Sequence, residues 1–118
     1  MKKYTVYGIP NCDSVRKTLK FLKNQKVDFE FVNYKNHPAD LDLVKSFTEQ
    51  VGWQPILNKR GTTWRKLSDD EKLELNSSES VEKFLSENNS AIKRPIVVSD
   101  LEIVAVGFDQ EKFDAYHW

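Results

Sequence analysis

Residues 4–31 read YTVYGIPNCDSVRKTLKFLKNQKVDFEF, and three patterns follow one another within them. The β-branched and aromatic start predicts a short strand, which the breaker cluster at residues 8–11 ends. Apolar residues then recur at helical spacing from Cys12 to near Asn24, and residues 27–31 alternate between apolar and charged side chains. The order is therefore β-α-β, and a helical crossover makes the two strands parallel neighbours with a right-handed connection.

Residues from about 38 to 89 carry helical patterns and no convincing strand. One helix is predicted to end at Gly52, which supplies a stop signal, and residues 53–57 are expected to form a brief helical turn. Ser68 and Glu71 fit a capping box that opens another short helix, and a further helical pattern follows it. This part of the chain is thus predicted to be a helical block.

A second β signal begins at Pro95. Residues 96–98 and 101–104 are predicted to form a hairpin with a tight turn at residues 99–100. Asp109 can then cap a final helix.

The complete element order is that of a thioredoxin-like α/β domain with a four-stranded mixed sheet and a helical insertion between the second and third strands. We predict one domain over residues 1–118. Its thioredoxin-like core comprises about 1–36 and 90–118, and the insertion comprises about 38–89.

Composition excludes several classes of protein. Of 118 residues, 39% are hydrophobic, which fills one core and not two. The 18 basic and 18 acidic side chains leave no basic excess, so nucleic-acid binding is disfavoured. No apolar stretch reaches the ~20 residues of a membrane-spanning helix, and the start lacks a secretory pattern. We expect a cytoplasmic protein without a membrane partner.

The single cysteine is Cys12, which permits no internal disulfide. His37 and His117 lie far apart and give no zinc-ligand spacing, so no metal is expected. At a predicted helix start, unpaired N–H groups and the positive end of the helix dipole lower the pKa of a thiol. The backbone N–H groups of Ser14 and Val15 are expected to face the sulfur and to form a cradle for an anion.

Other interpretations of these residues stay open. Cys12 can be an ordinary small buried residue, although its position off the apolar stripe of the helix argues against this. Asp13 opposes ionisation of the neighbouring sulfur. Arg16, one turn later, offsets that effect or is simply a solvated charge.

Arg60 and Arg65 stand in a loop-like run, residues 57–65, and Arg94 precedes Pro95 in a candidate cis peptide. Guanidinium groups bind oxyanions and carboxylates bidentately. Arginines that converge on a thiolate would hold an anionic substrate and favour the charged sulfur. Taken singly, each arginine is more commonly a surface charge.

Three features together resemble the arsenate reductase (ArsC)/Spx family over essentially the whole chain. They are the sequence Pro-Asn-Cys at residues 10–12, Arg60 in a mid-chain loop, and the run NSAIKRPIVV at residues 89–98. Residues 57–67 and 106–108 look most like the YffB branch of that family. The resemblance implies a thioredoxin-like fold with a helical insertion, which agrees with the element order above.

The resemblance implies that Cys12 is the nucleophile and that Arg60 and Arg94 are two anion-binding arginines. Three further residues are candidates for a supporting role, namely Arg16, Arg65 and Pro95. A third family arginine is missing, because residues 105–108 read AVGF. Spx regulators switch through a Cys-x-x-Cys pair, and Val15 here replaces the second cysteine.

The function that the resemblance implies is a glutathione-dependent thiol/disulfide oxidoreductase. Cys12 would attack an oxidised thiol or an oxyanion. An external thiol, supplied by glutathione or by glutaredoxin, would then release it. One alternative is a true arsenate reductase. Another is an Spx-like interaction module that docks on RNA polymerase without catalysis. Its anchors would be tryptophan side chains, namely Trp53, Trp64 and Trp118.

Overall fold

The computed structural model describes residues 3–118, which fold into two compact units. The first unit contains residues 3–37 and Arg94–Trp118, and the second is Pro38–Lys93. The second unit begins where the predicted insertion of about 38–89 begins, and it ends four residues later than predicted.

The first unit is built on a mixed four-stranded sheet, which confirms the predicted fold class. Its strands, in chain order, are β1 (Lys3–Gly8), β2 (Asp28–Asn33), β3 (Ile96–Ser99) and β4 (Glu102–Val106). The spatial order is β2-β1-β3-β4, with β1 parallel to β2 and antiparallel to β3, and with β3 antiparallel to β4. The parallel pair is the one that the β-α-β order requires.

Helices account for most of the remaining described chain. In chain order they are α1 (Asp13–Asn24), α2 (Leu41–Val51), α3 (Thr62–Arg65), α4 (Asp69–Glu74), α5 (Ser78–Glu87) and α6 (Gln110–Ala115), and a 3-10 turn spans Asn89–Ala91. The predicted limits of α1 and the predicted end of α2 are confirmed, as are the caps of α4 and α6. No helix within residues 3–118 is both long enough and apolar enough to span a membrane.

The core of the first unit forms between the sheet and α1 and α6. Alternate residues of β1, Tyr4 and Val6, are fully buried together with Leu22 of α1. Phe113 and Trp118 complete an aromatic cluster with ring centroids 5.2 Å apart. The indole Nε1 of Trp118 donates to the Phe113 carbonyl at 2.6 Å, and this half-buried tryptophan packs against the core.

The second unit agrees with prediction at residues 53–57 and departs from it soon after. The Leu57 amide donates to the Trp53 carbonyl at 3.1 Å, which forms the expected single turn, and Leu57 then pairs with Ile92 in a β-bridge. The loop-like run 57–65 ends in the single turn α3. A helix of four residues is too short to show apolar periodicity.

The hairpin of the first unit also differs from prediction by one to two residues. Its turn lies at Asp100 and Leu101, whose φ angles are 48° and 75°. Two successive positive φ angles form the turn type whose twist matches that of paired strands. Strand β4 consequently begins at Glu102 and not at residue 101.

Candidate active site around Cys12

Cys12 lies at the N-cap of α1, immediately after the loop that leaves β1. Its backbone is extended, with φ −115° and ψ 128°, and its carbonyl accepts from the Arg16 amide at 2.9 Å. The approach of α1 to β1 is close, since a Cβ added at Gly8 would meet Val15 Cγ2 at 2.7 Å. The absence of a side chain at Gly8 therefore lets the start of the helix, and the thiol with it, sit against the end of β1.

The surroundings of Cys12 favour a charged sulfur. Burial raises the pKa of the thiol, but the backbone N–H groups of Val15 and Ser14 and the guanidinium of Arg94 lower it by more. The net pKa of Cys12 is below its ordinary value. The two amides lie close enough to stabilise the thiolate although neither makes a capping hydrogen bond of normal geometry. The residue is partly buried.

Sheet topology brings Arg94 to this thiol from the distant end of the sequence. Strand β3 runs antiparallel to β1, with Ile96 opposite Tyr7, so the residues that lead into β3 lie at the edge where β1 ends. Arg94 occupies that position, and the Arg94–Pro95 peptide is cis. The Pro95 carbonyl accepts from the Gly107 amide at 2.7 Å.

The carboxylate of Asp13, the residue after Cys12, is paired with a cation of the same helix. It pairs with the guanidinium of Arg16 three residues later, and both side chains are exposed. This is the arrangement in which Arg16 offsets the acidic neighbour of Cys12.

Arg60 and Arg65 belong to the second unit, whereas Cys12 and Arg94 belong to the first. Both are exposed, and the Arg60 carbonyl accepts from Nε of Arg65 at 3.0 Å and also from its Nη2. The Arg60 amide donates to Asn58 Oδ1 at 3.0 Å. Of the predicted site residues, the structure thus brings Ser14, Val15 and Arg94 together around Cys12.

The tryptophans named as alternative anchors are all half-buried. The ammonium groups of Lys59 and Lys72 lie over the ring of Trp64, at 5.3 Å and 5.7 Å from its centroid. Within residues 3–118 no cluster of three or more His, Cys, Asp or Glu side chains could hold a metal ion.

Sequence reasoning missed Tyr34, which follows β2. Its amide donates to the Gly8 carbonyl at 2.9 Å, so it lies at the same sheet edge as Cys12. Its side chain is buried, and the charge of Arg94 acts on its hydroxyl. A signal was available, because the residue after a strand parallel to β1 must lie near the end of β1.

The mixed sheet with a partly buried thiol at the start of its first helix defines a thioredoxin-like protein with a single reactive-cysteine candidate. The model of the ArsC family matches residues 7–116, and the chain belongs to that family.

Solved structures and a curated relative agree with this assignment. A structure of a protein named YFFB superposes with a TM-score of 0.83 at 31% identity, covering 95% of this chain and 96% of that one. An arsenate reductase (ArsC) related protein from Brucella melitensis gives a TM-score of 0.78 at 32% identity, with coverage of 97% and 93%. The global transcriptional regulator Spx of Streptococcus agalactiae is 31% identical over 95% of this chain and 81% of its own length.

Proposed function

We propose that the protein is a glutathione-dependent thiol/disulfide oxidoreductase of the cytoplasm in which Cys12 is the nucleophile. The observation that carries the proposal is the position of Cys12 at the N-cap of α1, where the amides of Val15 and Ser14 and the guanidinium of Arg94 lower the pKa of the thiol despite its burial. A thiolate, and not a thiol, attacks a disulfide. Membership of the ArsC family and likeness to an arsenate reductase related protein support the broader class of thiol-dependent reductase.

The proposed reaction takes place in two exchange steps. The Cys12 thiolate attacks the glutathione sulfur of a mixed disulfide between glutathione and a substrate thiol. A new S–S bond forms, and the substrate sulfur leaves with the bonding electron pair and takes a proton from water. A second glutathione thiolate then attacks the glutathione sulfur on Cys12, which releases oxidised glutathione and regenerates the Cys12 thiolate. In the net reaction the mixed disulfide and one glutathione thiol become the free substrate thiol and oxidised glutathione.

The cationic side chains have separate proposed roles. Arg94 holds the charged sulfur through charge-assisted hydrogen bonds. Arg60 is proposed, from the family resemblance alone, to bind a carboxylate of glutathione, with Arg65 as support. The release step can equally be performed by glutaredoxin, whose reactive group is also a thiol.

Two measurements test the proposal. The rate of Cys12 alkylation by iodoacetamide, followed against pH, is expected to give an apparent pKa below the ~8.5 of a free thiol. Mass spectrometry after incubation with oxidised glutathione is expected to show one adduct that reduced glutathione removes, and none on Cys12→Ser. An apparent pKa at or above ~8.5, or an unreactive thiol, would contradict the proposal.

The Spx relative supports a second candidate, a regulator module that binds RNA polymerase without catalysis. In that case Cys12→Ser and the native protein would retain the polymerase equally, and neither would reduce a glutathione mixed disulfide.

A true arsenate reductase is the third candidate, supported by the Brucella melitensis neighbour. Steady-state oxidation of glutathione that depends on added arsenate, and is lost in Cys12→Ser, would favour it. The half-buried run at residues 105–106, which offers no guanidinium, argues against tight arsenate binding.

A further inference from the structure

The hydroxyl of Tyr34 is unusual for a buried polar group. The side chain is 4% exposed, and its oxygen has no hydrogen-bond partner among residues 3–118. Buried hydroxyl groups are normally paired, because an unpaired one loses its hydration without compensation. A phenylalanine would fill the same space without that cost.

Tyr34 lies at the same edge of the sheet as the proposed active site. The Tyr34 amide donates to the Gly8 carbonyl at the end of β1. The Tyr34 ring stacks on the ring of Tyr7, with centroids 6.3 Å apart and planes 20° from parallel. Arg94, whose guanidinium favours the Cys12 thiolate, also acts electrostatically on Tyr34. The charge of Arg94 therefore acts on both the Cys12 sulfur and the Tyr34 hydroxyl.

The chemistry of the proposed reaction changes only one of these two acceptors. While Cys12 is a thiolate, its charged sulfur is the stronger acceptor for the guanidinium. Once the sulfur belongs to a mixed disulfide it is neutral and a poor acceptor. Arginine carries five N–H donors, and a phenolic oxygen accepts hydrogen bonds, so Tyr34 offers a buried acceptor when the charge on sulfur disappears.

We propose that Tyr34 is a positioning residue that receives the Arg94 guanidinium when Cys12 forms its mixed disulfide with glutathione, and thereby stabilises that intermediate. This inference rests on the proposed function. Because its oxygen is buried, Tyr34 acts through Arg94 and does not touch the substrate. Burial raises the pKa of Tyr34, so the phenol stays neutral throughout the cycle.

The test is the equilibrium between reduced Cys12 and its glutathione adduct. Wild type and variants are equilibrated in buffers of fixed ratios of oxidised to reduced glutathione, quenched with acid, and the adduct fraction is read by mass spectrometry. Tyr34→Phe is expected to lower the equilibrium constant for adduct formation by about tenfold, the effect of one charge-assisted hydrogen bond. The alkylation pKa of Cys12 is expected to stay unchanged in this variant, because the new bond does not exist in the reduced protein.

Two further variants test whether Tyr34 affects adduct formation through Arg94. Tyr7→Phe removes a hydroxyl from the ring stacked on Tyr34 and is expected to leave the equilibrium constant within about twofold of wild type. In an Arg94→Met background, Tyr34→Phe is expected to have no further effect. Tyr34→Phe itself should melt no lower than wild type.

The outcomes separate this inference from the proposed function. If the wild type forms the adduct and Tyr34→Phe forms it with the same equilibrium constant, the inference is overturned and the proposed function is not. The same conclusion follows from a loss that persists in the Arg94→Met background, or from a lower melting temperature of Tyr34→Phe, which would indicate a structural hydrogen bond. A wild type that forms no adduct overturns the proposed function, and the inference with it.

Discussion

In the second unit three helices start on a side chain that caps them, whereas the helix that carries the candidate nucleophile in the first unit does not. Asp40 accepts from the Leu43 amide at 2.9 Å, and Ser68 and Ser77 form capping boxes. The N-cap of α1 is Cys12, whose side chain makes no capping hydrogen bond. The uncapped amides are the groups that lower the pKa of the thiol. We therefore expect the start of α1 to be less stable than a capped helix start, because its first N–H groups have no capping side chain and are left to stabilise the thiolate.

The two units also differ in how far along the chain their contacts reach. The capping residues of the second unit bond to amides three positions away. The sheet edge next to Cys12 instead depends on Gly8, which precedes it in the chain, and on two residues that flank later strands. These are Tyr34, which follows β2, and Arg94, which precedes β3. We therefore expect substitutions at this edge to have effects that no local pattern predicts.

The largest expected effect on stability comes from closing the gap between β1 and α1. Gly8→Ala places a methyl group 2.7 Å from Val15 Cγ2, and we expect it to lower the free energy of unfolding by about 2 kcal/mol. Urea denaturation measures this change. Val15→Ala removes the clashing atom, so the double variant should be less destabilised than the sum of the two single variants. Simple additivity would show that the close approach is not the cause.

A somewhat smaller effect is expected from removing the cation of the first unit. Arg94→Met should raise the apparent alkylation pKa of Cys12 by about one unit, which is about a tenfold loss of thiolate below both pKa values. Arg60→Met is the matched control from the second unit. It should leave the pKa of Cys12 unchanged and raise the KM for glutathione. Equal pKa shifts in both variants would mean that Arg94 has no special place beside the sulfur.

Exchanging the caps tests the comparison directly. Ser68→Ala removes the capping box of α4 and is expected to cost about 1 kcal/mol. Cys12→Ser gives α1 the hydroxyl cap that it lacks, and below the pKa of Cys12 it should gain about 0.5 kcal/mol while abolishing adduct formation. A Cys12→Ser protein less stable than wild type at that pH would contradict the view that stability is lower at this helix start.

The elements that sequence reasoning predicted well are those whose signals lie within the element. The capping box at Ser68, the stop at Gly52 with its φ of 84°, and the cap at Asp109 each depend on neighbours a few residues away. Cys12 and Arg94 could be singled out by residue type and by family resemblance. Their proximity to each other could not be read from spacing, because it depends on the sheet order.

Tyr34 marks the limit of prediction from sequence at this site. The predicted parallel pairing of β1 and β2 places Tyr34 near the end of β1, but the effect of Arg94 on it follows only once β1 is known to pair with β3 as well. The β-bridge between Leu57 and Ile92 is a similar case in the second unit, because it joins residues far apart in sequence.

The smallest expected effect is the dependence of stability on pH that the thiol itself introduces. Because folding lowers the pKa of Cys12, the unfolded chain binds the proton more tightly between the folded pKa and about 8.5. The free energy of unfolding of the wild type should therefore rise with pH across that window, stay at its higher value above it, and lose the contribution as the pH falls through the folded pKa. Cys12→Ser should show no such rise, so the advantage of its new cap should shrink as the thiolate forms in the wild type. Denaturation curves of both proteins at several pH values measure the difference, and a constant gap would mean that the amides of α1 do not stabilise the charged sulfur.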